Sequence, residues 1–91
     1  MIKITKKGKK VSVTFTAPVE ESEAVELMGE WNDWEPEAMK QRKNGDFYLT
    51  KVLDVGSVYQ FGYHNDGEWL IDEAVETVES PFGSLNSVLE L

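Results

Sequence analysis

Apolar and polar residues alternate with a period of two along most of this chain, and no stretch sustains an apolar i, i+3, i+4, i+7 repeat for three turns. That pattern predicts strands. Val11, Val13 and Phe15 alternate with Ser12, Thr14 and Thr16, which describes a half-buried strand that stops before Pro18. Ile2 to Thr5 is placed to pair with it across Lys7-Gly8-Lys9. Another strand starts near Ala24. It carries Val25, Leu27, Gly29 and Trp31 on one parity and Glu26, Met28 and Glu30 on the other, so Trp31 is expected to point into the core. Asn32-Asp33 and Pro36 then break the alternation and leave Trp34 in a loop. Met39 is expected to re-enter the core. Lys43-Asn44-Gly45-Asp46 reads as a turn, followed by a strand from Phe47 to Leu53 and a second break at Asp54-Val55-Gly56.

Val58 to His64 and Trp69 to Asp72 flank Asn65-Asp66-Gly67-Glu68, and Asp-Gly between β-type runs is a strong hairpin signal. With Asp66-Gly67 as a two-residue loop, Asn65 faces Glu68, His64 faces Trp69 and Tyr63 faces Leu70; directly opposed residues share a sheet face. Tyr59, Phe61, Tyr63 and Leu70 then form the core side, while Gln60, Gly62, His64 and an exposed Trp69 form the outer side. A three-residue loop would instead pair Tyr63 with Trp69 and bury the indole. Asp72, Glu73, Glu76 and Glu79 read as an exposed acidic connection, and Pro81-Phe82-Gly83-Ser84 turns the chain into a last strand, Asn86 to Leu91. Short strands separated by frequent turns describe an all-β antiparallel sandwich. It is expected to form one domain over residues 1–91, since no internal repeat, low-complexity tract or linker interrupts it.

A chain of 91 residues buries only about 60% of the surface its unfolded form exposes, which leaves room for one core. Nine basic and seventeen acidic residues give a net charge of −8. Lys3, Lys6, Lys7, Lys9 and Lys10 hold five of the nine, interleaved with β-type residues, and are expected to solubilise an edge strand. The remaining chain, with four basic and seventeen acidic side chains, would repel phosphate backbones and anionic headgroups. Nucleic acid and membrane are therefore not expected partners. The absence of cysteine excludes disulfides, thiolate metal sites and a cysteine nucleophile. With neither a signal-peptide stretch nor an apolar run of about 18 residues, the sequence reads as soluble and cytoplasmic.

Catalytic chemistry finds little support. His64 is the only histidine, and nothing resembles the strained nucleophile turn G-x-S-x-G. Seventeen carboxylates guarantee chance pairs at glycosidase-like separations, but such chemistry needs a cleft that desolvates one acid, which a small sandwich rarely provides. The acidic connection lacks the spacing of a calcium loop, so neither metal nor cofactor is expected. The remaining chemistry is aromatic. Trp34 and Trp69 fall outside the expected core, and exposed indoles mark binding surfaces. Sugars suit such a surface because their C–H faces lie on aromatic rings while their hydroxyls seek amide and hydroxyl partners.

The order of motifs resembles carbohydrate-binding module family 48, the early-set, immunoglobulin-like sandwich found in isoamylases, glycogen-branching enzymes and the β subunit of AMP-activated protein kinase. The resemblance runs from Val11 to Leu91. It rests on Val25-Glu26-Leu27-Met28-Gly29-Glu30-Trp31-Asn32-Asp33-Trp34, on Tyr59-Gln60-Phe61, on Asn65-Asp66-Gly67-Glu68-Trp69 with Asp72, and on Phe82-Gly83-Ser84-Leu85-Asn86-Ser87-Val88. It is nearest to short bacterial stand-alone members that lack a catalytic domain. The resemblance implies a non-enzymatic module that binds an α-glucan such as glycogen, starch or a maltooligosaccharide. It implies that Trp34 and Trp69 stack on the sugar, that Asn86 hydrogen-bonds its hydroxyls, that Ser84 and Phe82 flank it, and that Trp31 is a core aromatic. One departure stands out: glycogen-binding members carry a lysine or arginine where this chain has Gly62. Losing that donor is expected to weaken binding about tenfold unless Gln60 or His64 substitutes at the rim, and Gly62→Lys to restore it. The alternative is a protein-interaction or accessory module of glucan metabolism, docked on a glucan-metabolising enzyme, that keeps the fold without the sugar.

Overall fold

The computed structural model describes residues 2–19, 24–81 and 83–91. Two antiparallel sheets pack face to face. The first has four strands in the order β1-β2-β6-β5, built from β1 (Ile2–Lys7), β2 (Lys10–Thr16), β5 (Lys40–Gln41) and β6 (Phe47–Asp54). The second runs β4-β3-β7-β10-β9, from β3 (Glu26–Gly29), β4 (Glu37–Ala38), β7 (Val58–Asn65), β9 (Thr77–Glu79) and β10 (Leu85–Glu90), with β8 (Glu68–Leu70) attached to β7. It is the expected immunoglobulin-like sandwich.

The alternation of each strand explains how the two sheets bury one core. Val11, Val13 and Phe15 of β2 face Leu27 of β3, Phe61 and Tyr63 of β7 and Leu89 of β10, all buried. Met39 joins them, as its position predicted. β1 lies at the sheet edge, paired only with β2 through Ile2↔Phe15 to Lys7↔Lys10, and its lysines are exposed, as edge-strand protection requires. All nine basic residues lie on the first sheet or its turns. The second sheet carries no cation of its own. Among the described residues, no helix is long and apolar enough to cross a membrane.

β3 stops at Gly29, two residues short of the expected strand end, and the chain winds into a 3₁₀ turn over Glu30–Asn32. Trp31 nevertheless reaches the core, half-buried against Phe15 at 5.2 Å between ring centroids and Tyr59 at 5.9 Å. Its Nε1 donates to Glu37 Oε2 at 3.2 Å, which satisfies the indole's one polar group.

β7 organises the second sheet. One of its edges pairs with β3 through Glu26↔His64, Leu27↔Tyr63, Met28↔Gly62 and Gly29↔Phe61. The other is shared: β10 pairs with its first half up to Ser87↔Phe61, and β8 with its second half as Tyr63↔Leu70, His64↔Trp69 and Asn65↔Glu68. The two-residue loop is therefore the one formed, with Asp66 at φ 48° and Gly67 at φ 83°. Positive φ at both positions is the twist-matched hairpin geometry that Asp-Gly favours. On that edge Gly62 falls between the Phe61↔Ser87 pair with β10 and the Tyr63↔Leu70 pair with β8, and pairs with neither strand.

The acidic connection departs from expectation. Asp72 is buried, with 2% of its surface exposed, and the segment contains β9. Asp72 Oδ2 accepts a hydrogen bond from Tyr63 OH at 3.0 Å, its Oδ1 accepts one from Ala74 N at 3.0 Å, and its own N–H donates to Ser87 Oγ at 2.7 Å. Burial, and then the adjacent carboxylate, push the Tyr63 phenol above its ordinary range, so it stays a donor. Asp72 thus pins the connection across β7 and β10. Asp72→Ala is expected to destabilise the fold by about 3 kcal/mol, because it removes a charge-assisted bond and orphans a buried phenol. Asp72→Asn should recover most of that loss, and urea unfolding of both variants measures it.

Candidate functional site

Trp34 owes its position to strained backbone. After the 3₁₀ turn, Asp33 (φ 58°) and Trp34 (φ 64°) both adopt left-handed conformations. A bulky residue seldom does so, and each such residue costs on the order of 1 to 3 kcal/mol, which persists only where the surroundings hold it. Here Trp34 N donates to Gly29 O at 2.9 Å, Glu35 N to Asn32 O at 3.3 Å and Asn32 Nδ2 to Glu35 O at 3.3 Å. The tight loop turns the Trp34 indole away from the core, toward the outer face of the second sheet.

Trp69 arrives from the other side. Its register opposite His64 puts it on that same outer face, as the two-residue loop implied. It is half-buried rather than exposed, because the indole lies down on β7 over Gly62. A Cβ placed on Gly62 would overlap Trp69 Cζ2 and come within 2.7 Å of Cε2 and Cη2. Trp69 Nε1 donates to Leu85 O at 2.8 Å. The Trp34 and Trp69 rings meet at 6.0 Å between centroids with planes inclined by 58°.

These two indoles line a concavity of about 480 Å³ together with Met28, Glu30, Gln60, Ser80, Pro81, Ser84 and Asn86. Five of the expected site residues, Trp34, Trp69, Gln60, Ser84 and Asn86, therefore come together. Asn86 Nδ2 donates to Gln60 Oε1 at 3.0 Å, and the Ser80 and Ser84 hydroxyls share a hydrogen bond at 2.9 Å. Glu30, the only charged group in the lining among the described residues, accepts from Gln60 N at 2.5 Å. His64 is on the outer face but not in the lining; it faces Glu26, with Nδ1 and Oε1 3.3 Å apart. Phe82 lies outside the described residues. Met28, Glu30, Ser80 and Pro81 were not anticipated, although the parity that sent Trp31 inward had already sent Met28 and Glu30 outward.

The described lining thus combines a bent aromatic floor, a rim of amide and hydroxyl groups and one carboxylate. Comparison with known proteins bears on what such a concavity binds. Residues 11–91 match the family model described as the glycogen recognition site of AMP-activated protein kinase. The chain belongs to that family. A similar protein is the SNF1-related protein kinase regulatory subunit beta-2 of Arabidopsis thaliana, 28% identical over 67 residues, which make up 74% of this chain and 23% of that one. Among solved structures, pullulanase type I from Bacillus subtilis str. 168, complexed with maltose, shares the fold with a TM-score of 0.52 at 20% identity, over 100% of this chain and 13% of the enzyme. The chain thus spans about a quarter or less of these relatives.

Within this glycogen recognition family, position 62 takes on a different meaning. The expectation that Gly62→Lys restores a donor and strengthens binding does not survive the geometry. Any side chain at 62 would displace the Trp69 ring that covers it.

Proposed function

We propose that this chain is a non-catalytic α-glucan-binding module for glycogen, starch or maltooligosaccharides. The observation that carries the reading is the Trp34–Trp69 pair, inclined by 58° within one concavity. Sugar C–H faces stack on the two indoles, and because the indoles are not coplanar they suit a glucan whose successive rings turn, as in a helical α-linked chain. Asn86, Gln60 and Ser84 supply hydrogen bonds at the rim. His64, outside the concavity and directed at Glu26, has no part in the first contacts. Family membership supports the ligand class, and the maltose bound to the pullulanase is consistent with it.

Glycogen and amylose beads should retain the protein, and cellulose should not. The same protein incubated with glycogen should release no reducing sugar. Turnover abolished by changing one carboxylate to alanine would overturn the non-catalytic reading.

A second reading is favoured by one observation, the placement of the eight exposed basic residues on the first sheet and its turns, away from the aromatic concavity, with Lys51 turned inward to Glu37. That face suits an acidic surface on a glucan-metabolising enzyme, and the plant relative is named as a kinase regulatory subunit. The two readings use different faces and are compatible.

A further inference from the structure

Gly62 lies beneath the Trp69 indole that lines the concavity. It is buried although it lies on the outer face of the sheet, because Trp69 covers it. On one side it is paired with Met28. On the other, the pairing of β7 with β10 stops at Phe61↔Ser87 and its pairing with β8 begins at Tyr63↔Leu70, so neither strand pairs with Gly62. Trp69 enters from the end of β8 and Leu85 offers its carbonyl from the start of β10. The indole bridges the gap, ring on bare backbone and Nε1 on that carbonyl.

We propose that Gly62 is a positioning residue for Trp69. The missing side chain lets the indole lie flat and keep its bond to Leu85, so the sugar platform is set before a ligand arrives. This rests on the α-glucan reading and deepens it. Since the face of Trp69 toward β7 is covered, only the outward face, inclined toward Trp34, can stack on a sugar. The glycine therefore fixes the angle between the two platforms, and with it the preference for a curved glucan. A lysine at this position would add a charged donor while lifting the ring that makes the angle. Preorganisation of this kind raises affinity by removing the ordering cost of the platform at the moment of binding.

Gly62 lies in a strand without positive φ, so alanine suits its backbone and the nearest obstacle is the collision with Trp69. Three measurements on the full chain test the proposal. The Nε1–H signal of Trp69, assigned by Trp69→Phe, should exchange slowly with solvent in the wild type. In Gly62→Ala it should exchange at least about tenfold faster, while the Trp31 signal is unmoved. Maltoheptaose should bind Gly62→Ala and Gly62→Lys about fivefold to tenfold more weakly than the wild type. In a double-mutant cycle, Gly62→Ala should destabilise the wild type and be neutral in a Trp69→Ala background, a comparison that remains valid if the single variant folds poorly. Protection of Trp69 unchanged by Gly62→Ala, no coupling in the cycle, or tighter binding by Gly62→Lys would each overturn the proposal. If wild type binds no maltoheptaose, the glucan reading fails, and the indole signal and the cycle alone decide the role of Gly62.

Discussion

Trp31→Ala is expected to remove about 3 to 5 kcal/mol of stability, the range for truncating a large core aromatic. The indole touches Phe15 at 5.2 Å, Tyr59 at 5.9 Å and Phe61 at 6.2 Å between centroids, so its loss opens a void between the two sheets. It also covers Gly29, where a Cβ would come within 2.5 Å of its Cζ2. Alanine would leave both the glycine backbone and the Glu37 carboxylate without their cover. A domain of this size holds on the order of 5 to 14 kcal/mol in all, so the loss is a large fraction. With a urea slope of about 2 kcal/mol per molar, the midpoint should fall by about 2 M. Trp34→Ala, by contrast, should move it little, since that ring packs on Trp69 rather than in the core. A Trp31→Ala midpoint equal to that of the wild type would show that the 3₁₀ turn, and not the indole, holds this end of the sandwich.

Much of this fold was legible because its information is local. Asp66-Gly67 fixed the hairpin register, the register placed Trp69 on the outer face, and the parity of Val25 and Leu27 carried through to Trp31 even though the strand ends at Gly29. Other features were illegible because they come from residues distant along the chain. Asp72 looked like one more solvated acid, and only Tyr63 and Ser87, on β7 and β10, make it a buried pin. Gly62 read as a missing donor because nothing local says that β8 and β10 share one edge of β7 and leave a gap beside it. Alternation assigns a side chain to a face but not to a place on that face. For that reason Gln60 entered the concavity and His64, four residues on and on the same side, did not. The left-handed backbone at Trp34 was also unannounced, since a tryptophan gives no signal for positive φ.

Trp34→Ala and Trp69→Ala should each weaken α-glucan binding about 30-fold, equivalent to about 2 kcal/mol for a central aromatic contact. Stacking outweighs the rim here. Each neutral hydrogen bond from Asn86, Gln60 or Ser84 contributes about 1 kcal/mol net, and Asn86 and Gln60 already satisfy each other without a ligand. Because the rings are in contact at 6.0 Å, the two losses should not add. Either loss breaks the angled pair that the glucan spans, so the double variant should bind about as poorly as the weaker single one. Both variants should keep cooperative unfolding. Loss of binding together with loss of the fold would instead make the pair structural.

The most direct test of the account is calorimetric titration of the wild-type chain with maltoheptaose, with cellohexaose as the β-linked control. A shallow site with two stacking platforms and few directional bonds should bind the α-glucan with a Kd of roughly 10 µM to 10 mM, about −6.8 to −2.7 kcal/mol, and cellohexaose should give no heat. A folded wild-type protein that gives no heat with maltoheptaose, or that binds cellohexaose equally well, would contradict the assignment of Trp34 and Trp69 as an α-glucan platform.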